Sequence, residues 1–528
     1  MADGDSSVRR IWPLPCRCII IAPVLDEPSA NESRLTSWLY LFVAVGVFLR
    51  LVRYALDMPV WGDEASLALN ILNRGYTGLL HPLDYYQVAP IGFLWSQRAI
   101  YCHLGMSEYA MRLVPALAGI GALLLCAWWA RLLLSPLAAA TAVGILAVGN
   151  FSVRYAVELK PYGFDLLAGL LLLLPATLFI LRRRAGWLLL LILLTPIALS
   201  LSYPAVFLAG GVAVSLLVMS RRMTAGQIGC FIAFCLVLIG SFYVEAWRIG
   251  AGQYHQTKTA MTTYWQDAFP PFNPLRLMWW LLRIHTGNMF EYPFGGANGG
   301  STASFLVFVV GITGWLRHRR NALIWLLLSP FALNFVAAAL RRYPYGESAR
   351  VAQPLAPAII LLIGAGAAVL IEKLIRTPQN RRLAQQVIFG GLLLFGAAVL
   401  ADMLIHPFKS IDDAEGRDAV HQLFARAATG DAIVVLMPMD QVHVTMQWYL
   451  REQNQRIIWN GGVDRSWMNK DGKIWVLNLE PQAGIEQQLK ADLGRKLIFR
   501  DFRVATHDVD TVPLHYWQLM GFAAKSIR

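Results

Sequence analysis

The stretch Tyr162-Gly163-Phe164-Asp165-Leu166-Leu167-Ala168-Gly169-Leu170-Leu171-Leu172-Leu173-Leu174-Pro175-Ala176-Thr177-Leu178-Phe179-Ile180-Leu181 runs directly into Arg182-Arg183-Arg184. About 20 mostly apolar residues cross the hydrocarbon core of a bilayer as a helix. Lys and Arg collect in cytoplasmic loops, so the arginine triplet orients this span with its end at the cytoplasm. Ten further apolar runs follow the same reading: 36–56, 112–131, 136–153, 186–201, 204–220, 227–247, 301–316, 322–340, 351–371 and 385–404. Only Ser202–Pro204 separates the fifth from the sixth. Arg131, Arg221, Arg222, Arg317, Arg319, Arg320, Lys373, Arg376, Arg381 and Arg382 all fall on the arginine-triplet side. The expected fold class is mainly α, a polytopic transmembrane helix bundle of about 11 spans.

Composition agrees. Of 528 residues, 56% are hydrophobic and 15% charged, against about 25% charged in a soluble globular chain. That balance excludes disordered, collagen-like, coiled-coil and small disulfide-stapled architectures. The net charge of +13 is mostly orientation signal, and no nucleic-acid partner is expected. Residues 1–35 read as a cytoplasmic tail with Arg9, Arg10 and Arg17. Pro and acidic residues precede the first apolar run, unlike a cleaved signal peptide. An odd number of spans places the C-terminus on the outer side of an inner (plasma) membrane. The six cysteines (Cys16, Cys18, Cys102, Cys126, Cys230, Cys235) have neither disulfide-framework nor zinc spacing.

Three outer segments break the pattern: loop 57–111, loop 248–300 and residues 405–528. The last reads as a small extracytoplasmic α/β domain. A helix at about 415–428 leads into a strand at 432–436, with further strands at 456–459, 473–479, 497–502 and 514–520. Residues 36–404 form the membrane module. Loop 248–300 is rich in aromatics and ends in Gly295-Gly296-Ala297-Asn298-Gly299-Gly300, either a mobile cover over a site or a plain connector.

The outer segments also carry the chemistry. The first loop opens Trp61-Gly62-Asp63-Glu64-Ala65. Ala65, Ala68, Ile71 and Leu72 share one helical face, the pattern of a helix lying on a membrane surface. Asp63 is then either its N-cap, with Glu64 complementing the dipole, or a general base at the membrane boundary. Arg154-Tyr155-Ala156-Val157-Glu158-Leu159-Lys160-Pro161-Tyr162 and Arg341-Arg342-Tyr343-Pro344-Tyr345-Gly346-Glu347-Ser348-Ala349-Arg350 put cations on the outer side, against the positive-inside trend. Each cluster is a lipid-headgroup anchor, an ion pair or a phosphate site. Both together with an outer carboxylate pair favour a phosphate-bearing lipid substrate and a base. No Walker or Rossmann glycine motif supplies a nucleotide site.

In order along the chain, Gly62–Ala65, Tyr85–Leu94, Glu108–Gly119, Glu158–Tyr162 and Arg350 before a Pro-containing span resemble one family. It is the polytopic C-type (GT-C) glycosyltransferases that use polyprenyl-phosphate sugars, the bacterial family 39-like branch. Protein O-mannosyltransferases and lipid A aminoarabinose transferases belong to this superfamily. The resemblance covers about the first 370 residues. It implies that Asp63, with Glu64 beside it, is catalytic, and that Lys160, Arg350 and, more weakly, Arg154 approach lipid phosphate. Gln87, Tyr162 and Glu291 become candidate substrate contacts. The aminoarabinose transferases carry Glu-Lys before the first-loop proline, whereas this chain has Gln87-Val88-Ala89 before Pro90. That difference bears on sugar specificity.

The implied reaction moves a sugar from a polyprenyl-phosphate donor to the hydroxyl of a glycan, lipid or protein acceptor, with inversion. The donor carries its own leaving group. A divalent metal is compatible with the family, although no His/Cys/Asp cluster has ligand spacing. The other reading is a lipid or sugar transporter or flippase. Such proteins place ionisable groups near the membrane midplane, often in paired repeats; here they lie at span ends.

Overall fold

The computed structural model describes residues 30–293, 299–317, 321–409 and 411–425, and beyond those the segments 432–436, 441–451, 456–459, 473–478 and 518–523. The expected tail (apart from residues 30–35), the Gly-rich stretch at 295–298 and the strand at 497–502 lie outside the described residues. The chain is mainly helical, in the order α1 (Ala30–Ala55), α2 (Gly62–Asn73), α3 (Ile91–Leu104), α4 (Glu108–Leu133), α5 (Pro136–Val148), α6 (Asn150–Arg154), α7 (Tyr162–Arg182), α8 (Gly186–Leu201), α9 (Ala205–Met219) and α10 (Ala225–Phe242). There follow α11 (Gly250–Tyr264), α12 (Pro274–Thr286), α13 (Gly300–Arg317), α14 (Asn321–Ala339), α15 (Ala349–Ala352), α16 (Ala356–Leu374), α17 (Pro378–Ile405), α18 (Ile411–Phe424) and α19 (Gln441–Tyr449). It is a multi-pass membrane protein: among the described residues nine helices are long and apolar enough to cross a bilayer.

Two more apolar helices, α5 and α8, occupy the third and fifth span positions with only 13 and 16 residues. At about 1.5 Å per residue α5 extends about 20 Å, short of the roughly 30 Å hydrocarbon core. Its last carbonyls therefore end inside protein, where no water can satisfy them. Arg50 of α1 meets that need. Buried to 1% exposure, its guanidinium donates to the carbonyls of Leu146 (3.2 Å), Ala147 (3.3 Å), Ser152 (3.3 Å) and its own Gly46 (2.9 Å). A cation at the negative end of a helix also complements its dipole. Elsewhere glycine sets the packing: Gly311 of α13 faces the Leu362 carbonyl of α16, and Gly366 faces that of Val307. A Cβ at either would collide with backbone, so the two helices touch at closest approach.

Side-chain contacts sort the helix ends. Arg34 donates to Gln385 (3.0 Å), Arg131 to the Tyr40 hydroxyl (2.6 Å), Gln227 to the Arg183 carbonyl (2.7 Å) and Ser215 to the Ala322 carbonyl (2.7 Å). These bonds gather the basic helix termini at one end of the bundle. The long connections lie at the other.

Those connections depart from their sequence reading in two places. The segment after α10 is not an irregular loop: α10 continues through a π-helical stretch, Tyr243–Ile249, into α11, a rod of 40 residues from Ala225 to Tyr264. Second, α2 is not a helix with a free outer face. All its residues but Asp63, Leu72 and Asn73 are buried, because α19 packs over it. Val420, Leu423, Met446, Trp448 and Leu450 share one apolar core with Leu67, Ile71, Phe93 and Leu94. The residue-405 boundary therefore divides two segments with a common core. Beyond it, a four-stranded sheet has the order β2-β1-β3-β4. Its strands are β1 (Ala432–Leu436), β2 (Arg456–Trp459), β3 (Lys473–Asn478) and β4 (Gln518–Ala523). Strand β1 lies parallel to β2 and β3, with β4 antiparallel at the edge. The last strand, expected at 514–520, sits a few residues later.

Candidate active site

The extended residue Trp61 precedes α2, and no side chain caps the helix. Asp63 is thus the second residue of the helix, two positions past the cap, and its carboxylate turns to a different partner. Its Oδ2 lies 3.6 Å from Lys160 Nζ, and it remains partly open at 25% side-chain exposure. Glu64, its neighbour in sequence, points the other way and is 1% exposed. Arg112 of α4 grips it with two parallel bonds, Nε to Oε1 at 3.1 Å and Nη2 to Oε2 at 2.6 Å. The Leu159 amide donates to Oε1 at 2.7 Å. Burial alone would raise the Glu64 pKa, but the Arg112 charge and these bonds outweigh it and hold the carboxyl below its ordinary range. Arg112 also donates to the carbonyls of Met58 and Pro59. One guanidinium therefore ties the first loop to α4, and Glu64, by accepting from the Leu159 amide, ties both to the segment that carries Lys160.

Lys160 sits in the short turn between α6 and α7, 6% exposed. Besides Asp63 it donates to Gln87 Oε1 at 2.7 Å, and its ammonium is 6.0 Å from the Trp61 ring centroid. Gln87 is held in turn, its amide donating to the Tyr85 carbonyl at 3.1 Å. Burial lowers the Lys160 pKa; Asp63 acts against that shift and Arg350 with it. Arg350, on α15 far along the chain, is near enough for its charge to help lower the Lys160 pKa. Arg350 Nη2 donates to the Tyr264 hydroxyl at 2.6 Å, and its guanidinium lies 4.7 Å from the Trp265 ring centroid. The end of the α11 rod thus supplies an aromatic seat for this cation. Tyr162, the first residue of α7, couples to Arg350 and packs edge-on to Tyr155 at 5.0 Å.

Two other sequence candidates sit apart from the Asp63–Lys160 pair. Arg154 is ion-paired within its own segment, Nε to Glu158 Oε1 at 2.8 Å. Glu291 is buried next to the fully buried Tyr292. The sequence reading did not single out Arg112, Tyr264, Trp265 or Lys409. Lys409, just after α17, lies over the Trp61 ring. Among the described residues no three His, Cys, Asp or Glu side chains gather as a metal site.

No family model matches the sequence, and no curated protein matches it. Solved structures do. The chain is similar to ArnT from Cupriavidus metallidurans bound to undecaprenyl phosphate, with TM-score 0.54 and 15% identity over 93% of this chain and 98% of that one. The apo state of the same protein aligns over the same shares at TM-score 0.49 and 14% identity. The apo oligosaccharyltransferase of Archaeoglobus fulgidus aligns at TM-score 0.43 and 12% identity, over 82% of this chain and 65% of that one. The first likeness shows the fold: the chain is a polytopic membrane protein folded like that ArnT structure.

Proposed function

We propose that the protein is a membrane glycosyltransferase that moves a sugar from a polyprenyl-phosphate donor to an acceptor hydroxyl at the end of the bundle opposite the basic helix termini. We place that end outside the inner membrane. The observation that carries this reading is the pairing of a partly open carboxylate, Asp63, with a buried cation, Lys160, at 3.6 Å. It stands in a GT-C fold shared with a protein solved with undecaprenyl phosphate. In the reaction the acceptor oxygen forms a bond to the anomeric carbon while the bond from that carbon to the phosphate oxygen breaks. Asp63 takes the hydroxyl proton. Lys160 and Arg350 receive the charge that grows on the departing polyprenyl phosphate, in a site where little water competes. One displacement from one face inverts the anomeric centre.

Glu64 has no part in proton transfer in this scheme. Both its oxygens are engaged and it is closed to solvent, so with Arg112 it positions the loop that presents Asp63. Arg154 acts indirectly, by holding Glu158. Gln87 fixes the Lys160 ammonium and lies where a sugar hydroxyl would approach, with Tyr162 as a further wall. The test is sugar transfer by purified protein from a polyprenyl-phosphate donor, comparing wild type with Lys160→Gln and Arg350→Gln. Covalent product formed by wild type and lost at least tenfold in both variants supports the reading. Movement of the lipid without product, or full transfer by both variants, refutes it.

A further inference from the structure

The 13 residues of α12 carry two apolar faces, and protein covers only one of them. Asn273 and Pro274 start the helix, the Asn273 side chain accepting from the amides of Leu275 and Arg276. At about 100° per residue, Leu277, Trp280, Leu281 and Ile284 fall on one side. That side is seated. Trp280 and Ile284 are buried, Leu277 and Leu281 pack on the main core, and Trp280 Nε1 donates to the Asp267 carbonyl at 2.7 Å. The other side presents Leu275, Met278, Trp279 and Leu282, which are 78%, 70%, 69% and 50% exposed, with Phe272 just ahead of them at 88%. Positions i, i+3, i+4 and i+7 make one continuous stripe. A contiguous exposed apolar surface of this kind marks an interaction face, unlike single apolar residues scattered over a surface.

The depth of α12 identifies what covers the stripe. Trp280 packs against Phe335 with 6.3 Å between ring centroids, and His285 against Phe305 with 5.5 Å. Phe335 lies shortly before the end of α14 at Ala339, and Phe305 shortly after the start of α13 at Gly300. At 1.5 Å per residue both contacts sit about 6–8 Å inside the spans, where hydrocarbon gives way to headgroups. Near the same level those two spans expose Leu306, Val336 and Leu340. At about 20 Å, α12 is too short to cross the bilayer. Trp is favoured at such a boundary. Charge marks the headgroup side: Arg276 and Arg283 stand together between the two faces, about 100° and 80° round from Leu275. Arg283 faces Glu347 at 3.3 Å and Asp267 at 4.0 Å. Arg276, and Arg341 and Arg342 directly beyond α14, are exposed and have no ion pair among the described residues.

We propose that α12 is an interfacial anchor on the membrane leaflet at the end of the bundle opposite the basic helix termini. Phe272, Leu275, Met278, Trp279 and Leu282 sink among the acyl chains, and Arg276, Arg341 and Arg342 meet the phosphates of anionic lipids. A lipid leaflet fits this surface better than a second copy of the chain. The carboxylates beside α12, Asp267 and Glu347, are already turned to Arg283, so a copy would bring cations against cations. The anchor needs no assignment of the chemistry and stands apart from the transferase reading. It is tied to the cluster all the same, since Asn288 as well as Arg283 bonds to Glu347, just ahead of Arg350.

Footprinting of full-length protein in nanodiscs of phosphatidylcholine and phosphatidylglycerol tests the anchor without any variant. A photoactivated diazirine confined to the acyl chains should label the five stripe residues within twofold of Leu306 and Val336, and leave Trp280 and Ile284 unlabelled. Hydroxyl radicals generated in the water should oxidise Met278 and Trp279 at least fivefold more slowly than in a tryptic digest of the same protein. Oxidation at the digest rate without carbene labelling makes the stripe a solvent face and overturns the proposal. Protection from both reagents assigns the stripe to a protein partner, a second copy included, and overturns it too. For the headgroups, electron paramagnetic resonance of spin-labelled lipids in the same nanodiscs should show phosphatidylglycerol held in preference to phosphatidylcholine. The triple variant Arg276→Gln, Arg341→Gln, Arg342→Gln should lose at least half of that preference. An unchanged preference overturns the assignment of anionic lipid.

Discussion

Where α7 stops, Arg182 and Arg184 are exposed and have no ion-pair partner among the described residues. At the opposite end of the bundle Arg112 and Lys160 are each 6% exposed, and each faces a carboxylate, at 2.6 and 3.6 Å. Basic side chains thus serve two purposes. A solvated cation at a helix terminus contributes orientation and little stability. A desolvated one must be compensated and becomes specific to what compensates it. The end with buried cations is where an anionic ligand would repay their desolvation, which is why we place the chemistry there.

Breaking the most buried pair should have the largest effect. Glu64→Ala leaves the Arg112 guanidinium uncompensated and should cost about 3–5 kcal/mol of stability, measured by thermal unfolding in detergent. The pair also has a signature in pH. The folded-state pKa of Glu64 is depressed, so its contribution is complete above the ordinary carboxyl range and is lost as pH falls through the folded value. Glu64→Gln should flatten this acid limb of the stability curve.

Lys160→Gln should follow, lowering undecaprenyl phosphate affinity roughly 10- to 100-fold, the scale of one hydrogen bond to a charged group. Because the Lys160 pKa is lowered, that affinity in wild type should decline with rising pH before the ordinary lysine range near 10.4. Lys160→Arg, which stays charged, should move the decline upward. Removal of the Arg350 seat by Trp265→Ala should weaken the same affinity by a smaller factor, the equivalent of about 0.5–2 kcal/mol of cation–π contact. At the foot of the scale, Arg182→Gln or Arg184→Gln should change stability by no more than about 0.5 kcal/mol and leave ligand affinity untouched. A large effect there would dissolve the contrast between the two ends.

What was legible in the sequence follows the same division. Span positions and the sidedness of the arginines are local signals, carried by apolar runs and their flanks. The helical rod through residues 248–264 was not, because Gly250-Ala251-Gly252-Gln253 and Lys258-Thr259 leave the membrane and lose the apolar character that marked the span. The candidate residues Asp63, Gln87 and Lys160 do come together, but their grouping depends on a turn between α6 and α7 that no periodicity announces. Glu64 and Asp63 are adjacent and chemically alike. Only Arg112, 48 residues on, distinguishes a locked carboxylate from an open one. The reach of the C-terminal segment was equally hidden: the Val60 amide donates to Tyr449 at 2.7 Å across 389 residues, and Trp448 donates to Glu108 at 2.9 Å.

The most direct test of the account is Asp63→Asn, with sugar-transfer rate and undecaprenyl phosphate affinity measured on the same preparation. A general base contributes about 10²–10⁴ in rate. The account therefore predicts a fall in rate of at least 100-fold, with lipid-phosphate affinity no weaker than in wild type. Transfer at the wild-type rate would contradict it.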